Sequence, residues 1–413
     1  MKQTKKQYPI DYSAILYLAQ MRRNHTNVYR FAVTMKEAVC PELLQMAVNR
    51  IYTRFPTIFA GFQPGFFSYC VVPSEKAPCI AEDPGVLYTM PAAEIRSCAY
   101  RVYYSENKII IEAFHALTDG YGAVASLRTL VAEYLFLRYG VDSGERREML
   151  EQEPDWEAEL QDAYLDYSGE KSARMPGRYA YQLPGEDRNW KAKDSIRQFA
   201  TQKLLQAARR YGVSMTAFLS CIMAESIMEI QNNHAKTGKK QPVRIMVPID
   251  LRRLFPSKTL RNFILYALPT MECSEASHSR EIRMKCFHSQ LQQQATKKVL
   301  GQQISANVIP QRLLLFRIIP LCLKLAAMRL AYRFFGESNS SITLTNLGPV
   351  VLSEELKSHI QNIEVLLTPR SKSPYNCSVI SCGDVTNICI TRFGAVPELE
   401  ELFYRKLHVA LNG

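Results

Sequence analysis

The sequence predicts an α/β protein built as two lobes, and three observations carry that prediction. Apolar runs of strand length alternate with stretches of helical period, and several of the helices carry their own cap and stop residues. A chain of 413 residues is long enough for two units of comparable size. The composition also changes abruptly near the middle. Val141 to Glu170 holds eleven acidic residues against Arg146 and Arg147, and Pro176, Gly177, Pro184 and Gly185 punctuate the chain just beyond. With no sustained apolar period, residues 141–190 read as a solvated acidic crossover. They divide an N-terminal lobe, 1–140, from a C-terminal lobe, 191–413.

In chain order, Ile10 to Arg23 reads as an ordered leading segment and Asn27 to Met35 as a strand. Pro41 suits the first turn of a helix that carries Leu44, Ala47, Val48, Ile51 and Phe55 and stops at Pro56. Phe66 to Val72 and Ala99 to Tyr104 read as strands. Ser105-Glu106-Asn107 turns the second of these back into the β-branched run at Ile109. Beyond the acidic stretch, order is expected from Ser195. Thr201 can cap a helix that Gly212 ends, and Ser214 can cap a second helix bearing Phe218, Leu219, Ile222, Met223 and Ile227.

Val243 to Ile249 is a buried strand leading into Asp250-Leu251-Arg252-Arg253 and, later, Arg261-Asn262-Phe263. Gln311 to Phe335 is the most apolar tract, but Arg312, Arg317, Lys324, Arg329, Arg333 and Pro320 interrupt it. A membrane span wants about 20 uncharged residues, so this tract reads as a packed core element with snorkelling basic ends rather than an interfacial helix. Ser341 to Thr345 alternates as a strand, and Asn346-Leu347-Gly348-Pro349 reads as a turn. Cys377 to Ile390 reads as a hairpin about Gly383-Asp384, and Leu399 to Leu411 as a closing helix.

A hydrophobic share of 47% with both signs of charge describes an ordinary globular chain. The eleven cysteines include no C-x-x-C pair, and an odd number cannot all be bridged. Tyr8 to Leu18 is not a clean apolar signal core, so the chain reads as cytoplasmic. The seven histidines show no H-x-x-x-H spacing, which argues against a zinc site. The net charge of +12 favours anionic partners, but no RNA-binding aromatic motif, zinc finger or recognition helix points to nucleic acid.

The chemistry concentrates in Lys108 to Gly140. A strand, Ile109 to Phe114, runs into His115-Ala-Leu-Thr-Asp119-Gly120 and then a helix with Val124, Leu127, Leu130, Val131, Tyr134 and Leu135 at helical spacing. A histidine at a strand end beside a glycine turn is held rigidly, as a general base must be. The residues alone also fit a half-buried, satisfied histidine with Thr118 or Asp119 as a plain N-cap.

His115-x-x-x-Asp119-Gly120 at a strand-to-helix junction resembles the motif of the chloramphenicol-acetyltransferase-like superfamily of CoA-dependent acyltransferases. The tract Pro248-Ile-Asp-Leu-Arg252, with the later Arg-Asn-Phe, looks like its alcohol-acetyltransferase-like branch. Phe114 stands where the peptide-synthetase condensation form carries a second histidine, and the plant form's Asp-Phe-Gly-Trp-Gly is absent. The resemblance implies two lobes of mixed β-sheet with flanking helices and an active site at their interface. It implies that His115 is the general base and that Asp119 and Gly120 shape the loop, with Arg252 as the arginine for Asp119. The Ser/Thr-Asn-x-Gly segment would supply an oxyanion or substrate donor, Thr345 or Asn346. An acyl-CoA would be co-substrate, with no permanent cofactor, and an alcohol or amine the acceptor. The alternatives are a condensation-type enzyme with its donor on an acidic carrier protein, and an inactive binding relative.

Overall fold

The run Val28–Met35 is buried along its whole length, as a strand covered on both faces must be. It pairs antiparallel with Lys108–Phe114, placing Arg30 opposite Glu112, and their side chains meet at 2.6 Å. A charge in this interior strand is therefore paired rather than orphaned. The computed structural model describes residues 7–412 apart from 23–26, 170–172, 174–178, 186–190, 235–239, 313–316, 336–337, 371–372 and 395–396. The two strands are the centre of a five-stranded sheet that Tyr100–Ser105 and Ala81–Glu82 extend on one side.

The second large sheet is seven-stranded. Its interior strand Ile342–Pro349 lies parallel to both Val243–Asp250 and Tyr375–Cys382. Val385–Arg392 and then Lys193–Ala200 continue the sheet antiparallel, so it is mixed. Each sheet packs helices of its own, Pro41–Ile51 and Gly120–Tyr139 in one core, Met215–His234 and Glu398–Asn412 in the other. The chain is thus an α/β protein with two mixed sheets and flanking helices, as expected.

Several sequence expectations are modified. Residues 191–413 do not form a lobe by themselves, because Ile360–Leu367 pairs antiparallel with Val28–Met35 and becomes the edge of the N-terminal sheet. Nor are the described residues of 141–190 a free solvated connection. Arg54 holds Glu159 through two bonds of 2.7 Å, Leu260 N donates to Glu159 O, and Tyr164 is buried with its hydroxyl on Ile264 O. The acids there neutralise arginines of the packed lobes. Residues 170–172, 174–178 and 186–190 of that stretch lie outside the described residues.

The edge strand Lys193–Ala200 is largely exposed, which is why its polar sequence concealed it. Asn346 to Pro349 does not turn. The strand continues through a bulge between Asn346 and Gly348, and Gly348 takes a left-handed φ of 72°, which a glycine adopts without strain. In the apolar tract, where 313–316 lie outside the described residues, Leu321–Phe335 is a helix on the surface rather than in the core. No single helix is long and apolar enough to cross a membrane among the described residues.

Candidate active site

The strand Lys108–Phe114 delivers His115 to the lip of a cavity of about 1190 Å³ between the two sheets. The backbone there is tied from both sides: His115 N donates to Asn27 O at 2.7 Å, and Phe114 N to Ala99 O. The imidazole is stacked on Tyr17, with ring centroids 4.4 Å apart and planes 12° from parallel. Tyr29 meets it edge-on at 5.1 Å. Two aromatic faces leave the ring little rotational freedom.

Asn262 sets the tautomer. Its Nδ2 donates to His115 O at 2.9 Å, so its Oδ1 is the atom 3.1 Å from His115 Nδ1. A carbonyl oxygen only accepts, so Nδ1 carries the hydrogen and Nε2 keeps its lone pair. Burial disfavours the imidazolium and holds the His115 pKa below its ordinary value, against smaller opposing contributions from Asp119 and Asn262. The resident state near neutral pH is a neutral imidazole with a basic nitrogen, beside a cavity.

Asp119 lines the cavity, but both its carboxylate oxygens are engaged elsewhere. It caps the helix Gly120–Tyr139, accepting from Tyr121 N and Gly122 N. Its Oδ2 accepts from Phe263 N at 2.8 Å and from Arg252 Nη1 at 2.8 Å. Arg252 in turn donates to Thr259 O and Arg261 O and lies over the Tyr121 ring at 4.4 Å. Both charges are almost wholly buried, and together they fasten the segment holding Asn262 onto the segment holding His115. Gly120 lies against Leu347 of the other sheet, where a Cβ would come within 2.7 Å of its Cδ2; a leucine methyl can shift. Gly122 is the stricter requirement, since a Cβ there would meet Leu260 O at 2.3 Å and Thr118 Oγ1 at 2.1 Å.

Thr345 and Asn346 both line the cavity, on the strand facing His115 across it. The Asn346 amide is engaged, its Nδ2 donating to Thr216 Oγ1 at 3.0 Å and its Oδ1 accepting from Gly348 N. The structure therefore brings His115, Asp119, Gly120 and Arg252 into one connected unit, with Thr345 and Asn346 on the opposite wall.

Sequence reasoning missed Asn262, Tyr17, Arg370 and Asn376. Arg261-Asn262-Phe263 stood out by position, but nothing local told the amide that its partner lies 147 residues away. Arg370 lines the cavity and, among the described residues, is bonded to the hydroxyls of Tyr332, Ser340 and Thr343. Asn376 donates to Thr368 O, while its Oδ1 is buried at the cavity wall with no partner among the described residues.

No family model and no curated protein matches the chain. Solved structures do match it over almost its whole length. A structure of F. graminearum TRI101 complexed with coenzyme A and deoxynivalenol is 11% identical, with a TM-score of 0.64 covering 96% of each chain. The TRI3 trichothecene 15-O-acetyltransferase of Fusarium sporotrichioides is 10% identical, with a TM-score of 0.60 over 98% of this chain and 94% of that one. The starter condensation domain of rhizomide synthetase, with C8-CoA and Leu-SNAC, is 14% identical, with a TM-score of 0.57 over 98% and 94%. The chain has the fold common to CoA-dependent acyltransferases and condensation domains.

Proposed function

We propose that the protein transfers an acyl group from a CoA thioester to an alcohol or amine, with His115 as general base. The observation that carries this is the neutral His115, its Nδ1–H held by Asn262 and Nε2 left basic, at the wall of a cavity between the sheets. The acceptor O–H or N–H gives its proton to Nε2 as the heteroatom attacks the thioester carbonyl carbon. The new C–O or C–N bond makes a tetrahedral oxyanion. When it collapses, the C–S bond breaks, and His115 returns the proton to the departing thiolate. Base catalysis of this kind contributes about 10²–10⁴-fold.

The oxyanion needs a donor from the opposite wall. Thr345 is the candidate, because the Asn346 amide already donates to Thr216. Asp119, Gly120 and Arg252 act by position. The fold neighbours support a thioester donor, since two of their structures hold CoA or an acyl-CoA. Acetyl or another short acyl group is the simplest donor, and the reading requires no permanently bound cofactor.

The test is thiol release from a panel of acyl-CoAs against pooled alcohols and amines, with wild type beside His115→Ala. The variant should keep its fold and donor binding and lose turnover to a few per cent or less. Retained turnover would remove His115 as the base. Turnover only with an acyl group tethered to a carrier protein would replace the free CoA ester as donor.

A further inference from the structure

The helix Leu321–Phe335 carries apolar side chains on its outward as well as its inward face. Its inward positions include Leu321, Lys324, Leu325 and Met328. Lys324 is buried, and its ammonium donates to Phe67 O at 2.8 Å. The outward positions are Cys322, Leu323, Ala326, Ala327, Arg329, Leu330 and Ala331, with Leu323 61% and Leu330 58% exposed. A surface helix ordinarily turns its polar side to water. Here Lys324 faces the protein, while Leu323 and Leu330 face out.

Phe66 and Phe67, which the sequence placed in a strand, form the tip between the antiparallel strands Ala60–Pro64 and Tyr69–Pro73, and this hairpin tip repeats the pattern. Leu321 N donates to Phe66 O at 2.8 Å, which seats the tip against the helix start. Phe66 is 71% exposed, and Phe67 and Ile318 are exposed as well. Apolar surface from separate chain segments thus forms one patch, larger in side chains than scattered exposure explains.

Charge points to the occupant. From Arg312 to Phe335, the tract that contains the helix, the sequence holds Arg312, Arg317, Lys324, Arg329 and Arg333 and not one aspartate or glutamate. Arg329 lies on the outward face, its Nε on Ala19 O, and Arg317 precedes the exposed Ile318. Leucine and phenylalanine on one face, with Arg317 and Arg329 beside them, match a surface with an apolar interior and an anionic boundary.

We propose that this face docks on an anionic phospholipid surface, with Leu323, Leu330, Phe66 and Phe67 entering the acyl boundary and the arginines at the headgroups. The helix lies on the surface and does not span. The same helix carries Tyr332 in the cavity wall, beside Tyr17 and Gln20 of the leading helix Ala14–Gln20, so the docked face adjoins the cavity. The proposal stands independently of the reaction above.

The test is co-sedimentation of the full chain with vesicles of phosphatidylcholine alone or with phosphatidylglycerol added. Binding is expected to the phosphatidylglycerol vesicles and to fall with salt. The double variant Leu323→Glu/Leu330→Glu should weaken it about tenfold or more, because two carboxylates replace inserted apolar groups. The hairpin variant Phe66→Ser/Phe67→Ser, distant in sequence, should show a loss of the same kind, and thermal melts of both should match wild type. Wild type failing to sediment with phosphatidylglycerol vesicles at low salt, or both variants binding as wild type does, overturns the proposal. A dimer in solution that Leu323→Glu/Leu330→Glu dissociates, without vesicle binding, would give the face to a second copy and overturn it equally.

Discussion

At the scale of the residue, the site turns on one proton whose position Asn262 decides. Burial lowers the His115 pKa, so its folded value lies below the ordinary 6.5 or so. The base is competent above the folded pKa and is lost as pH falls through it, so kcat/KM should show an acidic limb below about 6.5. The stability linkage has the same direction: below the unfolded pKa the unfolded chain binds the extra proton, and stability drops. Asn262→Asp would set a carboxylate against Nδ1 and favour the imidazolium, moving the limb to higher pH. Rate profiles of the two proteins check this, and an unmoved limb would show that Asn262 does not face the titrating ring. His115 was legible because strand, turn and helix lie together in sequence. Asn262 was not, because its carbonyl is assigned only by a fold that closes 147 residues of chain.

At the scale of the element, the Asp119–Arg252 pair is a latch between the start of one helix and an irregular segment of the other lobe. Asp119 accepts from two helix N–H groups, Phe263 N and Arg252. Removing one partner of so buried a pair costs about 3–5 kcal/mol, because the survivor stays buried and unpaired. Asp119→Ala and Arg252→Ala should each lower activity and melting temperature, and the double variant should lose far less than their sum. Additive losses in a double-mutant cycle would dissolve the latch. Arg252→Lys should not rescue, since an ammonium cannot span Asp119, Thr259 O and Arg261 O together. The pairing was an expectation of the family resemblance, not of any local pattern, and the bulge at Asn346 was not expected at all. Asn, Gly and Pro are turn formers, and only pairing with Tyr375–Cys382 carries the strand through them.

For the whole molecule, the hardest feature to read was which sheet each strand joins. No strand is expected from the sequence at Ile360–Leu367, and the place of that strand beside Val28–Met35 is set by the closing of two lobes. The acidic stretch was misleading for a related reason: its charges find arginines of the packed lobes, Glu159 on Arg54 and Glu145 on Arg128. Each such pair consumes one charge of either sign, so the net +12 remains to act on outside partners. Arg253 stands exposed at the cavity edge, and beside it Lys258 is paired with Asp155 at 3.3 Å; these are the cations that the phosphates of the proposed CoA donor would meet. Exposed charge attraction is screened over about 8 Å at physiological salt, so donor affinity should weaken as salt rises. Affinity for an uncharged alcohol acceptor should hardly change. Calorimetric titration at low and high salt separates the two, and Arg253→Ala should flatten the donor's salt dependence without altering the pH limb. A donor affinity flat across salt would mean that these cations do not read the phosphates, and that the thioester is held by its apolar portion alone.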